Sequence, residues 1–217
     1  MGIASFSGAS SVIKPGVVTS STRPSSPFVG QLIYETDTGR LAAYNGSAWV
    51  TQNSLQYITG ASFTSATTIS MATGVFTSTY KTYQVVFQLT SGADCQMSVR
   101  VNNAGSARTG SNYYGSSQRY PYTGSWAITQ TSAGTSVNIG VNSTTRLFSA
   151  NIMVFNPIES TTRTTFALTG YGADDANSYA SLNGGGNYHI AEANDGLTWI
   201  AGAAVTGFYR VYGISES

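Results

Sequence analysis

The chain has 217 residues and a formal net charge of +1, and only 9% of its residues are charged, far below the usual quarter. Hydrophobic residues make up 41% and aromatic residues 12%, which is enough for a core and argues against wholesale disorder. The few basic residues are scattered, so the composition does not predict nucleic-acid binding. No apolar run reaches about 18 residues, and we expect no membrane insertion.

The first predicted segment, residues 1–22, is small and polar and carries a single charge at Lys14. It has too few apolar side chains to form a core, so we predict an extended attachment arm that becomes ordered on a partner. The segment has neither the charged start nor the long apolar run of a signal peptide. We therefore expect a protein that is not secreted through the membrane.

Residues 23–60 form a predicted β-hairpin module and a connector. A β-rich run, Gln31–Glu35, ends in a turn at Gly39, and the next run, Arg40–Tyr44, ends at Asn45-Gly46, a strong hairpin signal. A meander this small has no second layer of its own to cover its side chains. We predict that another copy of the chain, or the body of a larger particle, covers its apolar face. The predicted oligomerisation and attachment residues are Leu32, Tyr34, Leu41, Tyr44 and Trp49.

The remainder, residues 61–217, has the pattern of a C-terminal β-sandwich domain. Tyr83–Leu89 is apolar at every odd position, and Met97–Asn102 and Ser136–Val141 also alternate with period two, which indicates antiparallel strands packed on one side. Leu147–Phe155 is more uniformly apolar, as a central strand would be. No window keeps a helical period. The sequence thus predicts an all-β chain whose arm and hairpin module precede a jelly-roll-like antiparallel sandwich of about eight to ten strands.

A tyrosine-rich stretch, Asn103–Gly124, lacks clean alternation and is predicted to be a long loop or a ragged hairpin. A second tyrosine group surrounds the run Gly184–Gly186. Aromatic rings stack on sugars and anchor protein contacts at low entropic cost, so both groups are candidate glycan or receptor sites. The alternative is that these rings are buried under the loop or at a subunit interface. The candidate ligand-binding residues are Tyr113, Tyr114, Arg119, Tyr120, Tyr122, Trp126, Tyr179 and Tyr188.

Catalytic residues are sparse. The sole histidine, His189, could be combined with Asp195, but no Gly-x-Ser-x-Gly elbow provides a nucleophile, so we predict a structural histidine. Glycoside hydrolysis needs two carboxylates across a groove, and most of the nine acidic residues lie in predicted turns. We therefore predict that the protein is not an enzyme.

No cofactor or metal is predicted either. The two acidic clusters are Asp174-Asp175 with Asn177, and Glu192 with Asn194 and Asp195, and neither has the spacing of a known calcium loop. We interpret both as turn-forming residues. The single cysteine, Cys95, excludes an intrachain disulfide and is expected to be a small buried residue in a strand.

One segment resembles a known class of proteins. The motifs Arg-Pro-Ser-Ser-Pro at 23–27, Gly-Gln-Leu-Ile-Tyr-Glu-Thr-Asp-Thr at 30–38, Tyr-Asn-Gly at 44–46 and Ala-Trp-Val at 48–50 resemble a segment of bacteriophage tail fibres, minor tail proteins and other virion appendages. Gly207–Ile214 also looks like the closing strand of phage fibre domains. The resemblance implies a homotrimer in the virion, assembled in the host cytoplasm and released by lysis.

Three roles remain open. A tail fibre or receptor-binding protein would dock on other virion proteins through residues 1–50 and present its β domain to a host-surface glycan or protein. A capsid-decoration or head-fibre protein would use the same residues to hold the capsid. A polysaccharide depolymerase is the third role, and the sequence favours it least.

Overall fold

The computed structural model describes residues 15–51, 55–122, 126–142, 147–173 and 179–214. The chain divides into two compact units, residues 1–54 and 55–216. All regular secondary-structure elements within the described ranges are β-strands, which confirms the all-β prediction. In the same ranges no helix is long and apolar enough to cross a membrane.

The small unit is a four-stranded sheet in the order β1-β2-β3-β4, formed by Gly16–Val18, Leu32–Glu35, Arg40–Tyr44 and Trp49–Thr51. The last three strands form the predicted antiparallel meander, whose turns contain glycines with positive φ. The first strand lies parallel to β2 and comes from the predicted arm, so Gly16–Val18 of the arm belong to the sheet. Residues 1–14 of the arm lie outside the described residues.

The two faces of the small sheet differ in exposure. On one face, Ile33 and its cross-strand partner Ala42 are fully buried, and Tyr44 lies beside Trp49 with ring centroids 5.5 Å apart. The opposite face is exposed, because neighbouring residues of a strand point to opposite sides. The prediction that all five residues form one apolar face is therefore wrong. The exposed face consists of Val17, Leu32, Tyr34, Leu41 and Val50.

A buried carboxylate ties the entry of the small unit to its sheet. Glu35 is fully buried and shares a face with Ile33. Arg23 Nε donates to Glu35 Oε1 at 2.5 Å, and Thr38 Oγ1 donates to Glu35 Oε2 at 2.8 Å. The Arg23 guanidinium lowers the pKa of the Glu35 carboxyl, chiefly through this hydrogen bond. The pair thus explains why an arginine at the start of the segment accompanies a glutamate in its first hairpin strand.

The large unit contains eleven described strands in one sheet that folds into two layers. Its main path runs β10-β9-β14-β13-β12-β6-β15-β7-β11, while β5 pairs with β15 and β8 pairs with β7. The strands are β5 Leu55–Ser70, β6 Thr82–Ser91, β7 Cys95–Asn103, β8 Ser106–Ala107, β9 Tyr113–Pro121, β10 Ala127–Gly134, β11 Val137–Asn142, β12 Leu147–Phe155, β13 Arg163–Ala173, β14 Tyr179–Ala191 and β15 Gly196–Ile214.

The long strand β15 joins the two layers. Residues Gly196–Ala201 pair with β7, residues Val205–Ile214 pair with β6, and β5 accompanies both halves on the other side. The change of layer coincides with a break in β5 at Ser65, which has φ +50° and donates its N–H to Thr206 Oγ1 at 3.1 Å. Near the other end of the sheet, β11 lies against β9, β10, β13 and β14, which produces the predicted sandwich.

The core lies between these layers and is formed by the predicted alternating residues. Tyr83, Phe87 and their odd-numbered neighbours in β6 are buried, as are Met97 and Cys95 in β7. The expectations for both strands and for the cysteine are thus confirmed. The central position of β12, between β6 and β13, is confirmed as well.

Three segments outside the predicted strands contain strand residues. The tyrosine-rich stretch includes β9, which lies next to the edge strand β10; the connector includes the start of β5 at Leu55; and Gly184–Gly186 lies inside β14. A Cβ at Gly184 would lie 2.6 Å from Ser116 O, and one at Gly186 would lie 2.6 Å from Tyr114 O. The glycines therefore permit close strand pairing here.

Candidate ligand-binding face

Two of the candidate residues belong to the core. Tyr113 is fully buried, its hydroxyl accepts the Val101 N–H at 3.0 Å and donates to Arg108 O at 2.9 Å, and burial raises its pKa. Tyr188 is its cross-strand partner and is also buried, with ring centroids 4.9 Å apart. Both rings point between the layers, so neither is available to a ligand.

Arg119 also points away from the outer surface. Its strand partner Leu182 faces the core, and the two residues line a cavity of about 230 Å³ between the layers together with Asn138 and Gly140. The grouping of this arginine with the tyrosines, which the sequence predicted, therefore does not occur on one face.

Other candidates come together where β9 ends and β14 begins, on the outer side of β13, β14 and β9. Tyr120 pairs with Ser181, which in turn pairs with Tyr171, so the two rings flank a small side chain. The rings of Tyr171 and Tyr179 stack with centroids 5.7 Å apart and planes 9° apart. We call this cluster the aromatic patch; its members are Tyr120, Tyr122, Trp126, Tyr171 and Tyr179.

The aromatic patch is open to solvent. Tyr122 is 78% exposed and Trp126 is 61% exposed, and the Tyr122 N–H donates to Tyr179 O at 3.0 Å, which joins the ends of their strands. Tyr171 was missed by the sequence reasoning. Its signal is the alternation of Thr165, Ala167, Thr169 and Tyr171, which places the tyrosine on the polar side of β13.

Next to the aromatic patch, polar side chains cross four strands in register. Asn151 of β12 pairs with Thr169, Thr169 pairs with Asn183, and Asn183 pairs with Gln118 of β9. Cross-strand partners point to the same side of a sheet, so these side chains form one outward row. We call it the amide row. Gln118 also accepts a hydrogen bond from the Tyr120 hydroxyl, which connects the row to the aromatic patch.

Beyond the amide row lies a shallow groove of about 560 Å³ on β14, β9 and β10. Its floor is the backbone of Gly185 together with the outward side chain of Ser116, and Tyr114 and Gln130 stand beside it. The Tyr114 ring lies beside the His189 ring, with their centroids 4.9 Å apart. A candidate aromatic residue thus marks each end of β9, with small and amide side chains between them.

The acidic residues near His189 are engaged elsewhere. Glu192 makes a two-point ion pair with Arg108 at 2.7 and 2.9 Å, and Asp195 accepts the Gly105 N–H at 3.1 and 3.3 Å. The buried Asn194 donates its amide to Thr164 Oγ1 at 2.9 Å. Among the described residues no three acidic, histidine or cysteine side chains are grouped to hold a metal ion. The cluster at 174–177 lies outside the described residues.

Comparisons with known proteins add little to this geometry. No family model and no curated protein matches the chain. Among solved structures it is similar to the marine PL-14 alginate lyase of Aplysia kurodai, with 9% identity and a TM-score of 0.26 over 67% of this chain and 82% of that one. A likeness with so low a TM-score carries no argument about fold or activity.

Proposed function

We propose that the chain is a non-enzymatic bacteriophage virion appendage that binds a host-surface glycan through the outer face of its large sheet. The single observation behind the binding role is the aromatic patch. Exposed rings that flank the small Ser181, next to a row of amides, match the flat apolar faces and hydroxyl rims of sugars. The resemblance of residues 23–50 to virion proteins supports the location in the virion.

The small unit supports the attachment half of this proposal. Its exposed face presents Leu32, Tyr34 and Leu41 without a charged side chain among them, and Phe28 and Val29 are exposed as well. Apolar side chains gathered on one face of a four-stranded sheet are typical of a surface that another protein covers. Residues 1–50 would thus hold the homotrimer together or dock it on tail proteins.

A capsid-decoration or head-fibre role would use the same exposed face against the capsid. The two placements differ only in the neighbouring proteins. Crosslinking of intact particles, followed by mass spectrometry of peptides attached to residues 15–51, separates them. Tail proteins as neighbours favour the receptor-binding role, and capsid proteins favour the decoration role.

We expect Tyr120→Ala to weaken glycan binding about tenfold, equivalent to ~1.4 kcal/mol, because it removes one stacking ring and one side of the Ser181 site. Binding is measured on a glycan array and then by calorimetry with the best ligand. The matched control is Tyr57→Ala, which removes another exposed tyrosine, on β5 at the far edge of the sheet. Equal losses in both variants, or no glycan binding by the wild type, would contradict the proposal.

We expect Tyr34→Arg to convert the purified oligomer into monomers, since it places a charge in the middle of the exposed apolar face. Light scattering after size-exclusion chromatography measures the mass. The control is Ser47→Arg, which adds the same charge in the exposed β3–β4 turn of the same unit. A wild-type chain that is already monomeric at high concentration would remove the basis for self-assembly.

A further inference from the structure

We propose that the ligand of the outer face is an uncharged polysaccharide that lies lengthwise along β9 and β14, from the aromatic patch across the amide row into the groove at Gly185. The inference rests on the glycan-binding function proposed above and adds the chemical class, the path and the extent of the ligand. It follows from the spacing of the rings, the charges around them and the shape of the groove floor.

The spacing of the rings determines the extent of the site. Tyr114 and Tyr120 are six residues apart in β9 and point to the same side, so they are about 20 Å apart at ~3.3 Å per residue. A single sugar contacts one of these rings only. A chain of several sugars reaches both rings, with Asn183 and Gln118 beneath its middle to bind hydroxyl groups.

Among the described residues, no Asp, Glu, Lys or Arg side chain points outward along this path. From Thr165 in β13, Tyr179 in β14 and Tyr114 in β9 onward, the outward side chains are hydroxyl, amide, aromatic or small, and they include the imidazole of His189 beside Tyr114. The exposed Arg163 is paired with Ala191, about 13 Å along β14 from the groove. A site for acidic sugars would need cations beside the ligand, because carboxylates and sulfates lose hydration on binding.

The glycine run accounts for the shape of the floor. On the inner side, Cβ positions at Gly115 and Gly186 would lie 3.2 and 3.1 Å from Val137 Cγ1, so the opposite layer packs directly on this backbone. On the outer side, Gly185 lies between Ala167 and Ser116, so in this row across β13, β14 and β9 no side chain larger than serine rises from the sheet. A sugar ring can therefore lie flat on the sheet beside Tyr114.

The experiment uses the full-length protein and an array of size-graded oligosaccharides, from disaccharides upward, of neutral hexans, N-acetylated amino-sugar polymers and uronic-acid polymers. We expect a neutral class to bind, and its longer chains to bind about tenfold tighter than its disaccharide, because the second ring then contributes. Affinity for an uncharged ligand should change less than about twofold between roughly 0.05 and 0.5 M salt.

Ser116→Phe tests the path, since its side chain would fill the groove from an exposed outward position. This variant should bind long oligosaccharides no more tightly than the disaccharide, while its affinity for the disaccharide at the aromatic patch stays unchanged. Ser62→Phe, at an exposed outward serine of β5, is the matched control and should change neither. Preference for uronic-acid polymers overturns the uncharged class, and a missing length effect or an inert Ser116→Phe overturns the path. In each of these cases the glycan-binding function stands; absence of all glycan binding overturns both.

Discussion

Replacing Trp199 with alanine is expected to lower the free energy of unfolding of the large unit by about 3–5 kcal/mol, the usual cost of removing a large buried aromatic side chain. Trp199 is fully buried in the half of β15 that pairs with β7. Its ring stacks on Phe87 at 4.9 Å and packs on Tyr209 at 5.1 Å, and both of these partners belong to the other layer. Its loss would leave a cavity where the two layers are joined.

The matched control for this prediction is Trp126→Ala, which deletes a tryptophan that is exposed and should change stability by less than about 0.5 kcal/mol. Urea unfolding monitored by circular dichroism gives the change in the free energy of unfolding for both variants, since the large unit supplies most of the strands. Similar losses in the two variants would mean that the junction between the layers does not depend on this ring.

The second large effect is expected from Arg23→Ala, which should destabilise the small unit by about 2–3 kcal/mol because the fully buried Glu35 carboxylate would lose its ion-pair hydrogen bond. This value lies at or below the low end of the usual cost of breaking a buried ion pair, since the Arg23 side chain is partly exposed and Arg40, the cross-strand partner of Glu35, remains. Hydrogen exchange of the β2 and β3 amides measures the small unit separately from the large one. Arg163→Ala, an exposed arginine of the large unit, serves as the control.

The same pair makes the small unit sensitive to acid. The pKa of Glu35 is lowered in the folded state, so its contribution to stability is present above the unfolded value of about 4.3 and is lost as the pH falls through the folded pKa. Below about pH 4, the protection factors of these amides (their exchange rates compared with the intrinsic rates at the same pH) should therefore fall in the wild type. Arg23→Ala should flatten this dependence, and an unchanged acid profile in the variant would contradict the assigned cause.

Much of the large sheet could be predicted because its core strands alternate strictly. The buried odd-numbered residues of β6 and the series around Met97 in β7 show the period of two directly. The strand β9 and the glycine run in the middle of β14 were hidden because their inward positions include Gly115, Ser117 and Gly184, which are small where neighbouring strands approach closely. In the sequence, a strand whose inward positions are small and weakly hydrophobic looks like a loop.

The sequence indicated several of the residues of the candidate site, but it did not show which of them share one face of the sheet. Tyr113 and Tyr114 are adjacent in the sequence, yet one is buried in the core and the other stands at the groove, because strand neighbours point to opposite sides. Which member faces inward depends on register, and the irregular pattern of β9 does not reveal its register. The same uncertainty of one residue led to the wrong grouping of Tyr34 with Tyr44 in the small sheet.

The order of strands along the chain has a consequence for biosynthesis. Strand β15 follows every other described strand of the large unit, yet it lies between β6 and β7 and pairs with β5 along both halves. The growing polypeptide therefore cannot complete either layer until this strand has left the ribosome, whereas the short-range pairings of the small sheet can form during translation. The two units would fold at different times, the small unit before the large one.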